Sequence, residues 1–463
     1  MDITGLYFSG GIFKLLDSLW GEEFTPVETK KKQKKILDKI DKPKTIKEVT
    51  VKTVKSSKIS VKDKLKFIAE EVARILGIYR ENTIVIKSRD QLHEYISKAI
   101  ENSEIAIDTE TNNSLDPLTC KLMGPCIYTP GQKNAYIPLN HVNPDTSERL
   151  DWQLTEQDIY EEFSRLDNTK IIMHNGKFDY QVIKCTTDKQ LKVYWDTMIG
   201  ARILDENEKA GLKEQYISKI DPSIEHYTIE HLFQSIPYAF VDPELFALYA
   251  ATDAFMTYKL YEWQKKQFES LENKKLYDLF LNIEMPIMEV AAEMELTGVI
   301  IDKTYAERLS AKYNSRLSRL DENLNKLIKE KYSDIIKEWR KTPEANFHPK
   351  KKNSDEEAKS KNEQLEDPIN LASPLQLAIF LYDVLKIKPV DKKAPRGTGE
   401  EILEKLDFDF CKLILERRGL VKLINTYIDK LPQCVNEKTG RLHAHFNQLG
   451  AGTGRFSSSD PNL

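Results

Sequence analysis

Asp108 and Glu110 stand two residues apart at the end of the apolar run Ile105-Ala106-Ile107. In an extended strand, residues i and i+2 face the same side, so the two carboxylates would project together. Paired anions repel and burial sharpens the repulsion, so a pair of this kind calls for a cation. A further acid, Asp179, follows the apolar run Ile171-Ile172-Met173 and the turn signal Asn175-Gly176, on the first turn of a helix. A fourth, Asp253, comes four residues after Tyr249 in the helical stretch 245–263, which puts the phenol and the carboxylate on one face. Each signal alone also fits a plainer role: exposed acids at a strand end, an acid near a helix N-terminus, an amphipathic core tyrosine.

The elements that must position these groups are legible as an alternation. Residues 83–86, 105–108, 135–139 and 170–173 read as strands, and 90–101, 177–184, 197–204 and 244–265 as helices. Strands interleaved with helices indicate an α/β domain around a central sheet. From residue 274 to about 435 the pattern is helical, with the long charged stretch Ala306–Lys331 and a polar interruption at 350–367 that reads as a disordered tip or insertion. Residues 1–24 form an apolar-aromatic opening, and the lysine-rich run from Lys30 to about Lys66 reads as a solvated, flexible segment or as an arm for a phosphate backbone.

Composition sets outer bounds. The 463 residues suffice for two or three domains, and 40% hydrophobic against 31% charged residues suits a charge-rich globular protein. No apolar run nears the roughly 20 residues needed to cross a bilayer, and Met1–Trp20 lacks the features of a signal peptide. The cysteines Cys120, Cys126, Cys185, Cys411 and Cys434 show no metal-type spacing and read as free thiols of a reducing cytoplasm. A net charge of −4 leaves a nucleic-acid partner open, because acids gathered in one site can coexist with basic contacts elsewhere.

The ordered set of Asp-x-Glu on a strand, Asn-x-x-x-Asp at a strand-to-helix turn and Tyr-x-x-x-Asp on a helix resembles the three exonuclease motifs of the DEDD superfamily, in its tyrosine-containing branch. The resemblance implies that Asp108, Glu110, Asp179 and Asp253 bind two divalent metal ions, Mg²⁺ with Mn²⁺ as a substitute. It implies that Tyr249 orients the attacking water, and Asn175 is expected at the terminal nucleotide. The second half resembles family-A (bacterial polymerase I-like) DNA polymerases. Residues 285–302, 370–377 and 414–432 are similar to the thumb, and Phe446-Asn447-Gln448 with Thr453-Gly454-Arg455 through Leu463 to the start of the palm. That similarity implies DNA-backbone contacts by Asn447, Thr453 and Arg455.

The expected architecture is therefore α/β: a ribonuclease H-like exonuclease domain at 81–268, a mainly helical thumb at 269–440 with a polar insertion near 341–367, and an incomplete palm at 441–463. Residues 1–80 are expected to be an unmatched, flexible extension. The expected function is 3′-5′ proofreading hydrolysis of DNA ends within a DNA polymerase whose polymerase site lies on a second, palm–fingers polypeptide, in the cytoplasm of a bacterial or phage-infected cell. The partners would be single-stranded 3′ ends and primer–template DNA, with no membrane. A free-standing exonuclease on RNA ends and a non-catalytic DNA-holding subunit are the competing readings.

Overall fold

The computed structural model describes residues 61–463, apart from 113, 234–235, 271–273, 351–357 and 407. The apolar-aromatic opening and most of the lysine-rich run lie outside the described residues.

Six strands form one mixed sheet: β1 (Thr83–Val85), β2 (Glu104–Thr111), β3 (Leu122–Tyr128), β4 (Asn134–Tyr136), β5 (Lys170–Met173) and β6 (Val193–Asp196), in the spatial order β1-β4-β3-β2-β5-β6. β2 lies antiparallel to β3, with Asp108 opposite Cys126, and parallel to β5, with Ala106 opposite Ile172. Helices of eight or more residues are numbered here in chain order. The first six are α1 (Val61–Leu76), α2 (Arg89–Asn102), α3 (Glu156–Phe163), α4 (Gly176–Thr187), α5 (Thr197–Leu204) and α6 (Leu212–Lys219). The others are α7 (Pro243–Phe268), α8 (Met285–Thr297), α9 (Lys303–Arg340) and α10 (Asp409–Leu423).

α7 packs across the sheet because its inward face is small. Ala247, Ala250, Ala251 and Ala254 are fully buried, and residues without long side chains let a helix backbone approach a sheet closely. Asp242 caps its N-terminus, its carboxylate accepting from the amides of Glu244 at 3.0 Å and Leu245 at 3.1 Å, with Pro243 at the first helical position.

Two expectations about boundaries meet a different picture. α1 begins inside the stretch read as a flexible extension, and Ile68, Val72 and Leu76 enter the core beneath the sheet at 0% exposure. Their spacing of four is a helical face that the surrounding lysines obscure. The polar segment 350–367 is also partly ordered. Short helices at Pro343–Asn346 and Lys361–Gln364 close on the end of α9, where Arg340 donates to Asn362 Oδ1 at 2.6 Å and to the Leu365 carbonyl at 2.7 Å.

The long charged stretch is one 38-residue helix, α9, whose buried Ala306, Leu309, Tyr313, Leu320, Leu324 and Ile328 form a single stripe. It pairs with α10 through Arg417 and Asp321 at 2.6 Å and Arg316 and Glu416 at 2.7 Å. The C-terminal residues form an antiparallel hairpin of β7 (His445–Asn447) and β8 (Ser457–Ser459).

Candidate active site

The sheet delivers Asp108 and Glu110 from consecutive same-face positions of β2, as the spacing required. Glu110 is 7% exposed, and the neighbouring β3 adds Cys126, so that ligand atoms of Asp108, Glu110 and Cys126 lie within 4.8 Å of one another. The strand continues through Thr111 and does not stop at Asp108. Thr109, on the opposite phase of the pleat, serves the third acid: its amide and hydroxyl donate to Asp179 Oδ1 at 3.0 and 2.6 Å.

Asp179 is aimed by the turn that precedes it. Asn175 takes the left-handed conformation at φ 60°, a region most L-residues avoid and asparagine tolerates. Gly176 follows because a Cβ there would meet the Met173 Cβ at 2.6 Å. The buried Asp196 at the end of β6 fixes this turn. It accepts from the amides of Asn175 at 3.2 Å and Gly176 at 2.7 Å, and from Met198 and Ile199 at the start of α5 at 2.8 and 3.2 Å.

α7 supplies Tyr249 and Asp253, both under a tenth exposed. Asp253 forms an ion pair with Lys213 of α6. The Lys213 ammonium also lies 5.0 Å from the Tyr227 ring centre and 5.1 Å from that of Tyr249. The four acids and the tyrosine thus converge on one buried patch from three separate segments. Lys213, Cys126 and Asp196 were not legible as site residues, since each comes from an element with no motif spacing to betray it, and Thr109 was read only as the spacer between Asp108 and Glu110.

Burial dominates the electrostatics. It raises the Asp108 carboxyl to about 7, while the nearby Lys213 ammonium pulls the other way. Glu110 is pushed up by burial and then by Asp108. Asp179 is likewise raised by burial and Asp108, against the two hydrogen bonds from Thr109. Lys213 is lowered to about 8 by burial, which outweighs the carboxylates that favour its charge. His174 is lowered to about 3 by burial and then Lys213, so its ring is neutral, and it shares a 2.8 Å hydrogen bond with Thr197 Oγ1. Four carboxyls beside a single ammonium cannot all ionise without further positive charge, and a bound cation would restore the charged forms that burial disfavours. Carboxylate oxygens are the ligands that hard divalent cations take, so the residues present fit a metal centre.

The expected DNA-contact residues fall into two groups. Asn175 lies at the turn beside the acids, whereas Asn447 on β7 and Thr453 and Arg455 in the hairpin loop are exposed. A bridge joins the two regions. Lys177 of α4 donates to the Phe446 carbonyl at 2.5 Å and to Glu295 of α8 at 2.6 Å.

This fold and its acid cluster define a class, the 3′-5′ exonuclease domain: residues 83–269 match the family described as "3'-5' exonuclease". Residues 337–463 match "DNA polymerase family A". DNA polymerase I of Chloroflexus aurantiacus is 31% identical over 391 residues, covering 82% of this chain and 37% of that one. DNA polymerase I of Borreliella burgdorferi is 30% identical over 392 residues, covering 83% and 37%. A solved structure, the POL domain of Pol1 from M. smegmatis in complex with DNA primer-template and dNTP, has the same fold at a TM-score of 0.58. The two are 19% identical, and the match covers 82% of this chain and 55% of that one. The chain is therefore similar to family-A DNA polymerases, matching the 3′-5′ exonuclease family over residues 83–269 and the polymerase family over residues 337–463. It spans a little over a third of the length of these curated relatives.

Proposed function

We propose that this chain removes nucleotides from DNA 3′ ends by metal-dependent phosphodiester hydrolysis, as the proofreading part of a family-A DNA polymerase. The observation that carries the reading is the convergence of Asp108, Glu110, Asp179, Tyr249 and Asp253 from three segments onto one patch, in which burial and mutual repulsion hold the carboxyls of Asp108, Glu110 and Asp179 above their ordinary range in the absence of a cation. Two divalent cations, Mg²⁺ or Mn²⁺, would be held by Asp108, Glu110, Asp179 and Asp253 and would supply an activated water and neutralise the leaving 3′-oxygen. Tyr249 serves this chemistry without ionising. Its phenol is held well above its ordinary range by burial, so it acts by hydrogen bonding and orients the water. Asn175 reaches the terminal nucleotide from its left-handed turn.

Asn447, Thr453 and Arg455 on the exposed hairpin contact the backbone of the strand being trimmed, which positions DNA without reading bases. The substrates are single-stranded 3′ ends and primer–template junctions, in the cytoplasm of a bacterial or phage-infected cell. Among the described residues no helix is long and apolar enough to cross a membrane.

The deciding experiment is digestion of a 3′-mismatched primer–template in Mg²⁺ by the wild type and by Asp108→Ala/Glu110→Ala. Loss of the 3′ nucleotide with the wild type alone supports the reading, and equal activity in both overturns it.

A further inference from the structure

Lys213 lies outside the acid-bearing segments, yet its ammonium is buried inside their cluster, paired to Asp253 and set over the faces of Tyr227 and Tyr249. Rings placed in this way favour a cation, and α6 itself is anchored by buried Tyr216 and Gln215 and by Lys219, which pairs with Glu208 at 2.7 Å. The lysine is thus held where it is by its helix and by the aromatic cage as well as by charge. A carboxylate oxygen engaged by an ammonium is not free to ligate a metal ion.

We infer that Lys213 is a resident counter-cation: it holds Asp253 in the metal-free protein, and a divalent cation gains that carboxylate only by displacing the ammonium. The four-carbon stem permits Nζ to withdraw along the two rings while α6 stays in place. Metal uptake at Asp253 is then an exchange of cations, which keeps the acid cluster folded without metal and weakens its affinity for metal. Lys213 is a positioning residue, and the inference rests on the exonuclease reading above.

The test compares the full chain with Lys213→Met, which keeps the length of the side chain and removes its charge, and Lys213→Arg, which keeps the charge. Mn²⁺ binding is measured by calorimetry, and thermal unfolding is measured in a chelator and in saturating Mn²⁺. Lys213→Met is expected to bind Mn²⁺ about tenfold more tightly, since a competing charge at contact distance is gone. It should unfold at a lower temperature than the wild type in chelator but not in Mn²⁺, with Lys213→Arg close to the wild type throughout. Mn²⁺ affinity in Lys213→Met equal to or weaker than the wild type overturns the inference. Should Lys213→Met fail to fold by circular dichroism, Lys213→Gln, which is polar but carries no charge, carries the same expectation and the same refutation. A wild type that binds Mn²⁺ no better than Asp108→Ala/Glu110→Ala overturns the exonuclease reading together with this one. Metal binding that is sensitive to those acids and indifferent to Lys213 overturns this one alone.

Discussion

At the scale of single residues, the site is a problem of too many buried acids, and each neighbour can be read by whether it favours their charged or their neutral form. Thr109 favours the charged form of Asp179 by two hydrogen bonds to one oxygen. A hydrogen bond to a charged group contributes about 1.5–3 kcal/mol. Thr109→Val, which removes the hydroxyl and keeps the shape, is therefore expected to slow 3′-end digestion roughly tenfold and to raise the Mg²⁺ concentration for half-maximal rate, both read from one titration. Asp108 makes a pH prediction. Its folded value of about 7 lies above its ordinary 3.8, so the native state binds the extra proton between those values. The stability this proton contributes is complete below about 4 and lost as pH rises through about 7. In chelator, the melting temperature of the wild type should therefore fall relative to Asp108→Asn across that window, and saturating Mg²⁺ at neutral pH should close the gap. The acids and Tyr249 were legible from sequence because chemistry fixes their types and their local spacing. Lys213 was not, because its neighbours in sequence, Leu212 and Glu214, give no sign that this ammonium reaches across to α7.

At the scale of elements, the question is what aims the acids. Most of the alternation of strands and helices was readable, including β2, as a short apolar run ending on acids, and α7, as a long stretch with no Gly or Pro after Pro243. β3 was missed for a physical reason: Leu122–Tyr128 is buried throughout and carries Gly124 and Pro125 in its middle. Such residues ordinarily argue against an interior strand. Gly124 is required there, as a Cβ would sit 2.2 Å from the Ile137 carbonyl oxygen. β6 is only four residues long and offers too little pattern. Its last residue, Asp196, has the larger structural role, since it caps α5 and holds the turn before α4 through four backbone amides. Asp196→Ala leaves these donors without their acceptor. A cap is worth about 1 kcal/mol and each buried orphan donor about 1–3, so a loss of about 3 kcal/mol is expected in urea unfolding. Digestion should fall further than that instability explains, because Asp179 loses its fixed approach. Retention of full activity in the folded fraction would count against a positioning role for the turn.

At the scale of the whole molecule, the exonuclease domain and the C-terminal hairpin meet where Lys177 bonds the Phe446 carbonyl directly and the Glu295 carboxylate gathers donors from both sides. Glu295, 5% exposed on α8, accepts from Lys177 Nζ at 2.6 Å, Gln181 Nε2 at 2.8 Å and the Phe446 amide at 2.5 Å, with His445 Nδ1 at 3.6 Å. Lys177 stands two residues before Asp179, so the acid-bearing helix and the hairpin that presents Arg455 share this anchor. Nothing in the local sequence announces it, since the partners are separated by more than a hundred residues and only the folded chain brings them together. These donors hold the Glu295 carboxyl at about 2 against the opposing effect of burial. The stability it contributes is therefore fully present above its ordinary 4.5 and lost as pH falls through about 2. Glu295→Gln keeps the shape and one acceptor oxygen but leaves Lys177 without its counter-charge, and breaking a buried pair from one side costs about 3 kcal/mol or more. The cost should be local. Backbone amides of 445–459 are expected to exchange with deuterium faster in Glu295→Gln, while those of β2 and β5 keep their wild-type protection. The difference from wild type should shrink as the pH of the exchange experiment is lowered toward about 2. Uniformly faster exchange across the sheet would mean that Glu295 supports the domain as a whole and not the junction, and unchanged exchange in the hairpin would mean that the anchor holds nothing.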